Sequence, residues 1–173
     1  MEERLAYIVV GVHPGTADHL IDEAAMFARL LRTELVCAFV DVSRYPLEED
    51  ADGRVRSMPT NPDLIEIQLQ EDSDTVFPSV LFAQLGGILD PLNVAWSTRL
   101  LAGDPARALA QLANTLGAVM IVVGARNNTV RASMREFFNG SVAAHLAHRQ
   151  NRPVLVLPTN PVPAGSPLPW EQQ

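Results

Sequence analysis

The chain has 173 residues, enough for one domain of ordinary size whose core needs no disulfide or metal staple. All 13 of its basic residues are arginine, which excludes a Schiff-base lysine and any phosphate-binding loop built around a lysine. The net charge of −7 argues against nonspecific nucleic-acid binding, and no apolar run reaches the roughly 18 residues of a membrane span.

The acidic start Met1-Glu2-Glu3 lacks the basic region of a signal peptide, so a cytoplasmic protein is expected, with neither nucleic acid nor membrane as a partner. Leu5 to Val12 is an almost continuous apolar run that ends at His13-Pro14-Gly15-Thr16, the punctuation of a strand entering a tight loop. Thr16 or Asp18 can cap a helix in which Leu20, Ile21, Ala24, Phe27, Ala28 and Leu31 recur at helical spacing to about Arg32. Glu34 to Val42 is a second β-branched and aromatic strand, and within it the chain's single cysteine, Cys37, reads as a small buried hydrophobe.

From Ser43 the rhythm breaks. Four acids crowd into 48–52, prolines stand at 46, 59 and 62, and the apolar positions are scattered, so 43–67 is expected to be an exposed insertion. Ile65, Ile67 and Leu69 alternate with polar residues, as in a short edge strand or the entry to a helix. Asp72, Ser73 or Asp74 can cap a helix from about Thr75 to Leu89, with Pro78 tolerated near its first turn.

The second half is more regular. Asn93 to Leu101 predicts a strand containing Trp96, which reads as packing. Gly103-Asp104-Pro105 then supplies a turn, an N-cap and a proline at the first position of a helix that Gly117 ends. Ala118 to Val123 is a fully apolar strand closed by Gly124. A polar loop carrying arginines follows, then a helix from Gly140-Ser141 to about Gln150 and a last strand over Pro153 to Leu157. The tail from 158 to 173 holds five prolines and Trp170 but little core material.

The domain is therefore expected over 1–157: an α/β fold with an open parallel sheet of five strands and helices on both faces. Ligands of such sheets lie beyond the carboxyl ends of the strands at the switch point, here at His13 and Gly124. A helix start such as Gly140-Ser141 binds phosphate without lysine, although glycine after a strand and Gly-Ser before a helix are also ordinary punctuation. From Pro105 to Leu157 six arginines face one acid, Glu136, for a local charge of +5, so this half can accept an anion or can simply present a solvated arginine face.

His145 and His148 are three apart on a helix, but no carboxylate or cysteine stands near to complete a metal set, and no metal is expected there. His13 has no evident nucleophile to serve as a base, so no catalytic residue is assigned. An imidazole bonded within its own turn is the structural reading.

Several stretches carry a joint resemblance. They are Tyr7-Ile8-Val9-Val10-Gly11-Val12, Gly103-Asp104-Pro105, Val122-Val123-Gly124, Gly140-Ser141-Val142 and the closing Arg152-Pro153-Val154-Leu155-Val156-Leu157. With them the sequence resembles the universal stress protein family over nearly all of the chain outside 43–67 and the tail. The resemblance implies a Rossmann-like sheet of the adenine nucleotide alpha hydrolase kind, in the order 3-2-1-4-5. It also implies a homodimer paired through strand 153–157 and, in some members, bound ATP.

ATP-binding members carry Gly, two residues, Gly, nine residues, then Gly-Ser or Gly-Thr, with an aspartate near the ribose at the end of strand one. Here Gly124 matches the first glycine, Asn127 stands at the second, and twelve residues separate it from Gly140-Ser141. His13 replaces the aspartate and cannot accept two hydrogen bonds from ribose hydroxyls. The implied site is His13, Val40, Val123, Gly124, Arg126, Asn127, Gly140, Ser141 and Val142. Its ligand would be ATP or a related adenine nucleotide, with magnesium only if ATP binds. The function so implied is a stress-response module rather than an enzyme; the alternatives are a ligand-free protein acting through protein contacts and a slow nucleotide hydrolase.

Overall fold

The computed structural model describes residues 6–61, 76–125 and 142–159. Strand β1 (Tyr7–Val12) leads into helix α1 (Asp18–Leu31), and strand β2 (Glu34–Asp41) is followed by a short hairpin of β3 (Arg44–Glu49) and β4 (Val55–Pro59). Helix α2 (Ser79–Leu89), strand β5 (Trp96–Ala102), helix α3 (Pro105–Leu116), strand β6 (Met120–Ala125), helix α4 (Val142–Arg149) and strand β7 (Val154–Pro158) complete the described chain.

The main sheet is wholly parallel in the order β5-β2-β1-β6-β7, which is 3-2-1-4-5 once the hairpin is set aside. A parallel strand covered on both faces must be apolar on both, and Ile8, Val9 and Val10 are fully buried in succession. Alternation sends Ile8, Val10, Leu35, Cys37 and Val122 toward α1 and α2, where Leu20, Ile21, Leu81 and Leu85 meet them. Val9, Val36, Ala38, Ile121 and Val123 point the other way, toward Leu109 and Leu112 of α3 and Leu146 of α4. Gly11 faces α3, where the absence of a side chain lets the Leu109 methyl come within 3.1 Å of the position a Cβ would take.

Local chemistry sets the helix boundaries, and it differs from expectation at two starts. Neither Thr16 nor Asp18 caps α1, because Ala17 holds the N-cap position and Thr16 is committed to the turn before it. The expected helix from Thr75 begins only at Ser79, since a proline pushes the residue before it out of the helical region and Pro78 itself stands at the N-cap with ψ 118°. Asp72, Ser73 and Asp74 lie outside the described residues. Helix α3 follows its sequence signals: Asp104 accepts a hydrogen bond from the Arg107 N–H at 2.9 Å, Pro105 opens the helix, and Gly117 closes it at φ 64°. Strand β5 starts three residues later than expected, because Asn93 takes a left-handed φ of 53°.

The stretch after β2 holds more order than its composition suggests. The β3–β4 hairpin lies on the α3 side of the sheet: Val55 packs against that core, the Arg99 Nε of β5 donates to the Asp52 carbonyl at 2.7 Å, and Thr115 of α3 donates to Glu49 at 2.7 Å. Among the described residues, two helices thus cover one face of the sheet, and two helices with a hairpin cover the other. Among the described residues no helix is long and apolar enough to cross a membrane.

Candidate functional site

Parallel register fixes which residues meet at the carboxyl pole of the sheet. Val12 pairs with Phe39, so one residue further on His13 stands beside Val40. Val10 pairs with Val122, which puts Val12 level with Gly124 and His13 level with Ala125. β1 is the switch strand, because the chain passes from it to β2 on one side while β6 lies on its other side. The crevice beyond its carboxyl end is where open α/β sheets take ligands.

The loop after β1 is internally bonded. Thr16 N–H donates to the His13 carbonyl at 2.9 Å, while the His13 N–H donates to the Thr16 hydroxyl at 2.8 Å, a reciprocal pair that buries Thr16 and leaves His13 exposed. The His13 ring places Nδ1 2.8 Å from the Pro14 carbonyl. A carbonyl can only accept, so Nδ1 carries a proton, and in the tautomer with that single proton Nε2 is an acceptor. The imidazole bonded within its own turn is therefore present, and one ring nitrogen remains to meet a ligand. Gln84 of α2 braces this loop by donating to the Thr16 carbonyl at 2.9 Å and to Asp18 at 2.7 Å.

Across the crevice, Val123 is buried on the α3 side and Gly124 faces the α1 side. A Cβ at Gly124 would lie 2.6 Å from the Thr159 methyl and 2.8 Å from a Leu20 methyl, so the glycine is required by packing. Thr159, just past β7, donates its hydroxyl to the Ala125 carbonyl at 2.5 Å, and the His19 Nε2 of α1 donates to the Pro158 carbonyl at 2.7 Å. The exit of β7 is thereby tied to the start of α1 and to the last residue of β6. Nothing in the hydrophobic pattern announces this tie; the only signal is a polar residue directly after the closing apolar strand.

Of the expected site residues, His13, Val40, Val123 and Gly124 meet at this pole. Val142 begins α4, whose crossover connection starts from the same pole. Arg126, Asn127, Gly140 and Ser141 lie outside the described residues, as do Ile65, Ile67, Leu69 and Trp170. Nearby carboxylates serve local structure: Asp41 accepts from both the backbone N–H (2.9 Å) and the hydroxyl (2.6 Å) of Ser43, and Asp104 caps α3. His145 and His148 both lie on α4, and among the described residues no group of three or more His, Cys, Asp or Glu is set to hold a metal ion. Cys37 is fully buried in the sheet, and burial pushes its thiol up to about 12.

The pole thus joins an imidazole with strand-end backbone, a combination suited to a small polar ligand. The model of the family described as the universal stress protein family matches residues 7–158. No curated protein matches the chain in sequence.

Solved structures share its fold. A universal stress protein in complex with cAMP is 19% identical, with a TM-score of 0.58 over 91% of this chain and 100% of that one. The universal stress protein from Archaeoglobus fulgidus in complex with dAMP is 20% identical, with a TM-score of 0.53 over 88% of this chain and 98% of that one. A universal stress protein family protein from Arabidopsis thaliana with AMP bound is 15% identical, with a TM-score of 0.51 over 96% and 99%. At these identities the likeness concerns the fold.

Proposed function

Because this chain belongs to the universal stress protein family, we propose that it is a homodimeric stress-response binding module rather than an enzyme, and that it takes an adenine nucleotide at the carboxyl pole of its sheet. The observation that carries this reading is the switch-point geometry: His13 and Val40 on one side and Gly124 on the other flank the crevice where parallel sheets bind ligands. Structures of the same fold that hold cAMP, dAMP or AMP support an adenine nucleotide as the ligand class.

In this reading the His13 ring, with its Nδ1 proton on the Pro14 carbonyl, accepts one hydrogen bond from a ribose hydroxyl through Nε2. Strand-end backbone at Val40 and Val123 borders the base, and the phosphate-binding role falls to the motif residues Gly140, Ser141 and Val142 together with Arg126 and Asn127. ATP brings magnesium with it, whereas AMP and cAMP need none. A binding role is supported by the way the polar groups of the β1 loop are already bonded to one another, which leaves them to position a ligand.

Calorimetric titration with AMP, cAMP, and ATP with magnesium tests the proposal. Saturable binding of at least one of them, weakened by His13→Ala, is expected. Heat no greater than dilution for all three at millimolar concentration would remove the nucleotide from the reading.

A further inference from the structure

A second concavity opens at the opposite pole, where the amino ends of β6 and β7 meet the C-terminal halves of α3 and α4. It encloses about 330 Å³, within the usual size range of a small-molecule site, and it is lined by amides and arginines: Gln111 and Asn114 of α3, Arg149 at the end of α4, and Gln150, Asn151 and Arg152 leading into β7. Among the described residues no carboxylate lines it.

The arginine at its base is held in place. Gln150 clamps the backbone of Arg152 from both sides, accepting from its N–H at 2.6 Å and donating to its carbonyl at 2.8 Å. The Arg152 Nε then donates to the Ala118 carbonyl at 2.7 Å, so one edge of the guanidinium is fixed and its terminal nitrogens remain as donors. Arg149 is exposed, and among the described residues neither arginine is ion-paired. The chain is acidic overall, which makes two such cations in one hollow informative.

Gln111 and Asn114 are one turn apart on α3, so their amides project from the same side. The C-terminal ends of α3 and α4 each contribute up to about half a negative charge there, together still short of two guanidinium charges. A fixed guanidinium, a second cation on a mobile stem and amides that can donate or accept together suit a small oxyanion bearing other polar groups.

We propose that this groove is a binding site for a small multiply charged oxyanion, a phosphoryl or polycarboxylate compound, separate from the carboxyl pole. Arg152 and Arg149 grip the charged group, and Gln111 and Asn114 read its remaining polar atoms. The ligand would join α3, α4 and the seat of β7, and so stabilise the folded chain in proportion to its occupancy.

The test uses the full chain with inorganic phosphate and with citrate as probes, at constant ionic strength set by chloride. Binding is followed by calorimetry and by the amide shifts of Arg149 and Arg152. At least one probe should bind saturably and move those two signals. Arg149→Ala should weaken it tenfold or more, and Asn114→Asp, which puts an acid into the groove without removing a structural bond, should abolish it. The proposal is overturned if neither probe saturates at millimolar concentration, or if Asn114→Asp binds as the unaltered chain does.

Discussion

The side chain of Leu112 on α3 occupies the space in front of Gly53 at the tip of the β3–β4 hairpin, so that a Cβ there would collide with the Leu112 Cδ1. Gly53 is buried, has a left-handed φ of 74°, and closes a turn in which its N–H donates to the Asp50 carbonyl at 3.0 Å. Gly53→Ala should therefore combine left-handed strain with overpacking and destabilise the chain by about 2–4 kcal/mol in urea titration. Leu112→Ala opens room for the new methyl, so the double variant should lose clearly less than the two single losses added together. A Gly53→Ala chain as stable as the original would show that the hairpin is not seated on α3.

This contact also marks where sequence reading stops. The five parallel strands were legible because each is a short apolar run closed by glycine, proline or a polar turn, and burial on both faces demands that pattern. The hairpin was not, because its outer residues Tyr45 and Leu47 are more than half exposed and its inner contacts rest on the single apolar residue Val55, a glycine, a backbone carbonyl and Thr115. None of these produces a hydrophobic period. At the site, His13 and Gly124 could be picked out as strand ends, but their surroundings could not. The bonds from Thr159 to Ala125 and from His19 to Pro158 join residues 34 and 139 positions apart, and only the register of the sheet brings them together.

Cys37 supplies a chemical probe of the sheet. Its side chain is wholly buried, with the thiol raised from 9.0 to about 12 by desolvation, so in the folded chain it stays protonated and inaccessible. Thiol reagents at pH 8 should label it only after denaturant is added. The raised value also gives a sign for alkaline stability. Above pH 9 the unfolded chain gives up this proton while the folded chain keeps it, so the unfolded state binds fewer protons and stability falls as pH rises. The contribution is complete below pH 9 and declines at up to about 1.4 kcal/mol per pH unit toward pH 12, less in Cys37→Ala than in the original chain. An identical alkaline decline in the two chains would assign the loss to other groups.

Gly124 links packing to the proposed ligand. Because Thr159 and Leu20 already fill the space behind it, Gly124→Ala must displace one of them. A loss of about 1–3 kcal/mol is expected, with nucleotide affinity falling alongside it. Thr159→Ala removes the nearer obstacle and one hydrogen bond. In the Gly124→Ala background it should therefore recover part of the stability, whereas alone it should lose about 1 kcal/mol. Additive losses in the double variant, measured by chemical denaturation, would contradict this packing.

The proposed dimer makes the sharpest demand on a single side chain. β7 is bonded to β6 on one side, and among the described residues its other side is the edge of the sheet. Leu155 and Leu157 turn inward onto the α1 core, while Val156 is 45% exposed. An apolar edge with no charge along Val154–Pro158 invites pairing with a symmetry-related copy, and natural edges that stay single are commonly guarded by lysine. Val156→Lys should install that guard. Because the residue already contacts solvent in the single chain, folding stability at low micromolar concentration under dissociating conditions should change by no more than about 0.5 kcal/mol. The sedimentation coefficient should nevertheless drop from that of a dimer to that of a monomer. If the variant still sediments as a dimer, the pairing surface lies elsewhere; if the unaltered chain is a monomer at micromolar concentration, the strand edge is single by nature and the homodimer must be given up.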